Sequence, residues 1–343
     1  MSDDIVLSKT PLSTPWQTLD PFLFCMHHDD LYPEGNEEMG PDAPLKGRSI
    51  GNDFSGKDGW SMYHGDVVPG FPQHPHRGFE TITLARNGFI DHTDSLGATS
   101  RFGEGDVQWM TAGNGVVHSE MFPLVNRDEE NHTELFQIWL NLPREDKKKD
   151  AYFTMFWAGD VPKQTFDDDG GRGTELTVIA GALDELEPPD PPPSSWASRD
   201  ESDVAVWTLK MEPGAEWTIP EAHPESNRVL YFFEGDSCEV AGEEVDRGYA
   251  VQLKADAECP IVNGEEPGEF LMLQGRPIGE PVVKHGPFVM NSQGEIRQAM
   301  VDYQRDGFGG WPWDDHAPVH PRDKGRFAIH ADGREEAPAD SGE

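Results

Sequence analysis

The chain is 343 residues long, room for two ordinary domains, and its 36% apolar content is broken by 36 Gly and 29 Pro; that balance favours short strands joined by turns over long helices. Asp and Glu number 64 against 27 Lys and Arg, a formal charge of −37, which argues against direct nucleic-acid contact, since phosphates are held by clustered cations. No stretch of roughly 18 consecutive apolar residues occurs, so no membrane span is expected.

Residues 1–20 read as an extended lead-in. Their opening, MSDDIVLSKTPLSTPW, has no basic region followed by an apolar core, so no signal peptide is expected. Cys25, Cys238 and Cys259 are odd in number and far apart, which fits a reducing cytoplasm better than a disulfide framework. A domain this acidic repels itself in dilute buffer. Because the Debye length shrinks to about 3 Å in molar salt, the charge leads us to expect a salt-accumulating halophile.

From about 21 to 145, short apolar stretches alternate with Gly-bearing turns: FETITLA (79–85), DVQWMTA (106–112) and ELFQIWLNL (134–142). His27-His28 beside Asp29-Asp30 reads as an exposed polar loop, and Asp91, His92 and Asp94, after a turn at Asn87-Gly88, read as solvent-facing. Lys147–Lys149 reads as a solvated loop. The Pro-rich stretch 187–203 is expected to be a stiff surface loop, and a second strand-rich segment runs from Val204 to about Leu273. Trp311-Pro-Trp313-Asp-Asp-His316 reads as packing of a C-terminal segment, and the polar tail after about 330 as disordered. Two successive sets of short strands imply an all-β protein of two antiparallel barrels or sandwiches. The expected divisions are 21–145, 146–305 with its loop 187–203, and 306–343.

Chemistry concentrates in His74-Pro-His76-Arg-Gly-Phe-Glu80 and His118-Ser-Glu120. Residues two apart on a strand share a face, so His74, His76 and Glu80 are expected together, with Ile82 and Leu84 continuing that face and Phe79, Thr81 and Thr83 opposite. His118 and Glu120 share a face after the turn Gly113-Asn-Gly115. Imidazoles and carboxylates converging from two strands suit a divalent transition metal. Strand parity admits either Glu80 or Glu120 as the carboxylate. The second half offers only His223-Pro-Glu225, which reads as a surface loop without metal.

HPHRGFETITL (74–84), GDVQWMTAGNGVVHSEM (105–121), LFQIWLNLP (135–143), LDPFLF (19–24) and GRPIGEPVVKHGPFVMNSQGEIRQAMVDY (275–303) resemble the pirin family over about 20–305. The resemblance implies a bicupin of two antiparallel β-barrels (jelly rolls), the N-terminal one holding a single metal. Carried across motif by motif, it gives His74, His76, His118 and Glu120 as ligands, with Glu80 a supporting acid. His118 stands five residues after Gly113, where the general cupin pattern has three, which also separates this chain from a generic cupin. Fe(II) is the metal implied first, with Mn, Ni, Co, Cu or Zn as alternatives.

The activity implied is quercetin 2,3-dioxygenase, or a related oxygenation of a small aromatic substrate by O₂. Glu120 would be both ligand and base, and Phe79, Met110, Phe136 and Ile138 would wall the pocket. The alternative is a non-catalytic, metal-binding regulator that acts through a protein partner. A monomer in the cytoplasm is the expectation under either.

Overall fold

The computed structural model describes residues 5–339, and the chain divides into two compact units, one of residues 1–26 and 160–279, the other of 27–159 and 280–343. Residues 280–305, which the sequence groups with the C-terminal barrel, thus fall in the same unit as the histidine motifs. Among the described residues no helix is long and apolar enough to cross a membrane.

In the unit of 160–279 a seven-stranded sheet runs in the order Val6–Pro11, Tyr249–Leu253, Asn227–Glu234, Gly268–Gly275, Ala205–Met211, Gly173–Ala180, Lys163–Asp167, and a four-stranded sheet completes the barrel. Part of the lead-in is therefore strand: Val6–Pro11 pairs with Tyr249–Leu253. Alternate residues Leu230 and Phe232, Met272 and Phe270, and Trp207 and Leu209 meet in one apolar cluster, the period-two signature of a sheet with one face inward. The loop 187–203 contains no strand, only two short 3₁₀ turns. The three cysteines are free and buried.

The unit carrying the histidine motifs has a five-stranded sheet, in the order Tyr152–Phe156, Val107–Thr111, Phe79–Asn87, Asn131–Asn141, Phe22–Tyr32. Its six-stranded sheet runs Glu335–Glu336, Phe327–Ile329, Thr99–Gly103, Phe89–Asp94, Val116–Met121, Gly70–His76. The chain crosses between them at Arg77-Gly78. Gly78 has φ +86, and a Cβ there would stand 2.0 Å from the Val289 carbonyl oxygen, so no other residue fits.

The helix Gln293–Asp306 opens on Ser292, whose hydroxyl accepts from Glu295 N and donates to Glu295 Oε2, a serine N-cap. It ends on Gly307 in the left-handed region. It buries Ile296 and Ala299 beside Phe288, Met290 and Phe308. Arg77 ties the crossing to this helix: Nη1 donates to Asp302 Oδ2 at 2.8 Å, Nε donates to the Asn114 carbonyl, and the guanidinium lies over the Phe308 ring.

The end of the chain straps the outer face of the six-stranded sheet. Arg101 forks onto Asp91 and donates to the carbonyls of His320, Pro321 and Lys324, and Phe327–Ile329 pairs with Thr99–Gly103. The tail after 330 is ordered as far as described, since Ala328 and Ile329 pair with Glu336 and Glu335. Its polar side chains hid this because backbone pairing and the His330 contact to Glu336 hold it. Residues 340–343 lie outside the described residues.

Candidate metal centre

His74 and His76 close the strand Gly70–His76, and His118 and Glu120 lie on its antiparallel neighbour Val116–Met121. The register sets His74 opposite His118. On the other flank, Phe89–Asp94 sets Asp94 opposite His118 and His92 opposite Glu120. Directly opposed residues point to the same face, so the whole set turns into the barrel. A register shift between Phe71 and His74 bends the first strand, as bulges do, and Phe71 comes edge-on to the His74 ring.

Ring centroids are 4.4 Å apart for His74 and His118, 4.8 Å for His74 and His76, and 4.9 Å for His76 and His118. One ring nitrogen from each lies within 4.8 Å of the other two. Burial, reinforced by neighbouring imidazoles, lowers the pKa of His74 to about 4 and those of His76 and His118 well below the ordinary value. All three are therefore neutral near pH 7 and keep a lone pair for a ligand.

His74 Nδ1 is engaged by the Pro72 carbonyl at 2.9 Å, which leaves its Nε2 free to coordinate. His76 Nδ1 and both nitrogens of His118 are buried without a hydrogen-bond partner. Native proteins rarely leave buried polar atoms unsatisfied. One nitrogen from each of the three rings, converging on one point, fits a divalent transition-metal ion. No second group of three such side chains occurs among the described residues.

Glu120 lies beside the imidazole trio, Oε2 standing 3.8 Å from His118 Nε2. Gln137 Nε2 donates to Oε2 at 3.0 Å, and Thr83 Oγ1 is 3.3 Å from Oε1. Burial raises the pKa of this carboxyl, while His92, Gln137 and Thr83 pull it back. Glu80 is elsewhere. The crossing at Arg77-Gly78 puts it in the five-stranded sheet and breaks the count by two that joined it to His74 and His76. Because Thr83 reaches Glu120, the odd residues Phe79, Thr81 and Thr83 face the site, and Glu80, Ile82 and Leu84 take the opposite face. There Glu80 accepts from the Thr111 hydroxyl at 2.6 Å.

Several residues expected at the surface are buried. His92 and Asp94 are 0% and 1% exposed, His92 Nε2 is 3.3 Å from Asp94 Oδ2, and the His92 ring is 5.4 Å from that of His118. Asp91 points the other way, into the Arg101 fork. The signal was present: His92-x-Asp94 repeats the parity of His118-x-Glu120. His27–Asp30 lie on a strand, where His28 and Asp30 are buried and Tyr63 donates to Asp30. Lys147 is buried and donates to the Gly78 carbonyl and Asn141 Oδ1.

Of the four expected wall residues, Phe79 packs edge-on to His76, and Met110 pairs with Thr81 on the inner face. Phe136 and Ile138 pair with Leu84 and Ile82 and turn outward with them. Phe71 and Trp139, unforeseen, contribute aromatic faces beside His74 and His76. In the other unit His223 is exposed and joins no such group.

Two family models match the chain, Pirin over residues 8–140 and the Pirin C-terminal cupin domain over 206–309. A Pseudomonas aeruginosa protein provisionally named a quercetin 2,3-dioxygenase is 38% identical over 246 residues, covering 71% of this chain and 81% of that one. Pirin-1 of Arabidopsis thaliana is 35% identical over 70% of this chain and 79% of its own length. Among solved structures, a quercetin 2,3-dioxygenase from Acinetobacter baumannii superimposes with a TM-score of 0.69 at 27% identity, covering 89% of this chain and 98% of that one.

Proposed function

This chain belongs to the pirin family of bicupins, and from that premise we propose that it is a metal-dependent dioxygenase that opens a flavonol, or a related planar enol, with O₂ and releases carbon monoxide. One observation carries this reading: three neutral imidazoles, two of them buried with orphaned nitrogens, stand next to a buried carboxylate. The names of the Pseudomonas and Acinetobacter relatives support it. We assign His74, His76, His118 and Glu120 as the ligand set, with Fe(II) the first metal to test and Mn, Ni, Co, Cu and Zn after it.

A bound divalent metal would acidify a coordinated hydroxyl and leave positions open for reactants. The remaining work falls to the chain. Glu120 takes the hydroxyl proton, a role suited to a carboxylate whose burial raises its proton affinity. Gln137 and Thr83 hold its two oxygens in place. Phe71, Phe79 and Trp139 offer flat apolar surfaces against which a planar substrate can lie away from water.

The test is direct. Protein loaded anaerobically with each metal in turn is mixed with quercetin under air, following loss of visible absorbance and release of carbon monoxide. Turnover that His118→Ala removes is the expected result. Stoichiometric metal binding with no turnover for any of the metals would overturn the assignment and leave a metal-binding protein without this activity.

A further inference from the structure

Within the unit of 160–279, a cavity of about 710 Å³ opens beside the loop 187–203. Its inner wall includes Trp207, Arg228 and Gln274. The register explains why those residues meet. Arg228 lies opposite Gln274, and Gln274 opposite Ala205, in the same inward-facing rows as Leu230 with Met272 and Trp207. An apolar cluster fills most of this barrel, and Arg228 and Gln274 form a polar end to it.

Arg228 is 1% exposed, and the Asp203 carboxylate acts on its charge without forming an ion pair with it. Nε donates to Gln274 Oε1 at 2.7 Å, whereas Nη1 is buried with no acceptor. The hydrogen bonds of Asp203 come instead from the Ser226 hydroxyl and the His223 amide. A guanidinium cannot shed its proton inside a protein, and an unpaired buried charge is costly. A planar fork with a vacant Nη edge matches a carboxylate.

The rim has the opposite character. Asp184, Glu187, Asp190, Asp200 and Glu221 line it and are exposed. The one cation there among the described residues, Arg199, lies over the Trp196 ring. Five acids around an entrance repel a simple anion but attract a ligand that is cationic at its outer end.

We infer that the C-terminal barrel binds a small zwitterionic carboxylate, its carboxylate on Arg228, its apolar middle against Trp207 and its ammonium group at the acidic rim. The site uses none of the residues of the proposed metal centre, so either assignment can fail without the other.

The experiment titrates the full-length chain calorimetrically, at low ionic strength, with three molecules of similar length: 5-aminopentanoate, pentanoate and pentylammonium. The expected order is aminopentanoate tightest, at one per chain, then pentanoate. Arg228→Met weakens aminopentanoate by roughly tenfold or more. Should that variant fail to fold, Glu187→Gln with Asp190→Asn, both on the exposed loop, carries the test by narrowing the gap between aminopentanoate and pentanoate. Pentylammonium binding as tightly as aminopentanoate, unchanged binding in folded Arg228→Met, no narrowing in the rim variant, or no heat from any of the three probes would each overturn the inference.

Discussion

The Thr83 hydroxyl stands 3.3 Å from Glu120 Oε1 although the two residues belong to different sheets. Thr83 is also 3.1 Å from Gln137 Oε1, and Gln137 returns its amide to Glu120 Oε2. The carboxylate is therefore positioned by the five-stranded sheet, while the imidazoles come from the six-stranded one. The centre closes only when both sheets are in register.

This geometry separates the two glutamates experimentally. Glu120→Gln is expected to lower the metal retained per chain after dialysis and to remove quercetin turnover. Glu80→Gln should leave metal content unchanged and cost about 1 kcal/mol through its altered bond with Thr111. Elemental analysis and urea denaturation of both variants check this; metal lost from Glu80→Gln alone would reverse the assignment.

Acid should destabilise the metal-free protein. Burial first, then the His27 charge, lowers His28 to about 3; burial lowers His74 to about 4, and it lowers His76 and His118 also. Each is neutral when folded but gains a proton when unfolded below its ordinary value of 6.5. The unfolded state then binds more protons, so stability is lost as pH falls through about 6.5 towards 4. A smaller set works the other way: burial raises Asp30 to about 6, so that its folded form binds the extra proton between that value and 3.8, and it raises Glu120 and Asp106 also. Four imidazoles outweigh it, and thermal melts from pH 7 to pH 4 should show a falling midpoint. Bound metal should shallow that fall until acid releases it.

Arg77 follows a proposed ligand and anchors it to the helix Gln293–Asp306. Arg77→Met removes the bond to Asp302, the bond to the Asn114 carbonyl and the contact with Phe308. A loss of about 2–4 kcal/mol is expected from a pair this buried, together with faster metal release from the neighbouring His76. Asp302→Asn should cost less, because that side chain is 17% exposed and its amide still accepts. Equal losses in the two variants would show that the Phe308 and Asn114 contacts contribute little.

The net charge of −37 gives a salt prediction. Screening by KCl shortens the range of repulsion from about 10 Å at 0.1 M to about 3 Å at 1 M, so the urea midpoint should rise steadily with KCl. A protein most stable without salt would contradict a salt-adapted origin.

Much of the centre was legible in sequence, because His-x-His and His-x-Glu on paired strands place their side chains by backbone geometry alone. The face of residues 79–84 was not. Counting by two assumes one unbroken strand, and Gly78 permits a crossing that inverts it. His92 and Asp94 resembled surface residues because a polar barrel interior has the same composition as a solvated face. Thr83 and Gln137 gave no signal at all, since neutral polar residues on a strand acquire their role only from what the opposing sheet brings near. Lys147 shows the converse: a cation in a basic run is buried once the Gly78 carbonyl and Asn141 are there to receive it.

The unit that holds the histidines joins residues 27–159 to residues 280–343 across the other unit's 160–279, which dictates an order of assembly during translation. A ribosome delivers residues 160–279 without interruption, so that unit can settle soon after its own last strand emerges. The imidazoles appear earlier but must wait, because the helix that grips Arg77 and the strap across Arg101 follow 160–279 in the chain. A nascent chain halted at Gly279 would carry every proposed ligand and still lack the parts that hold the barrel shut.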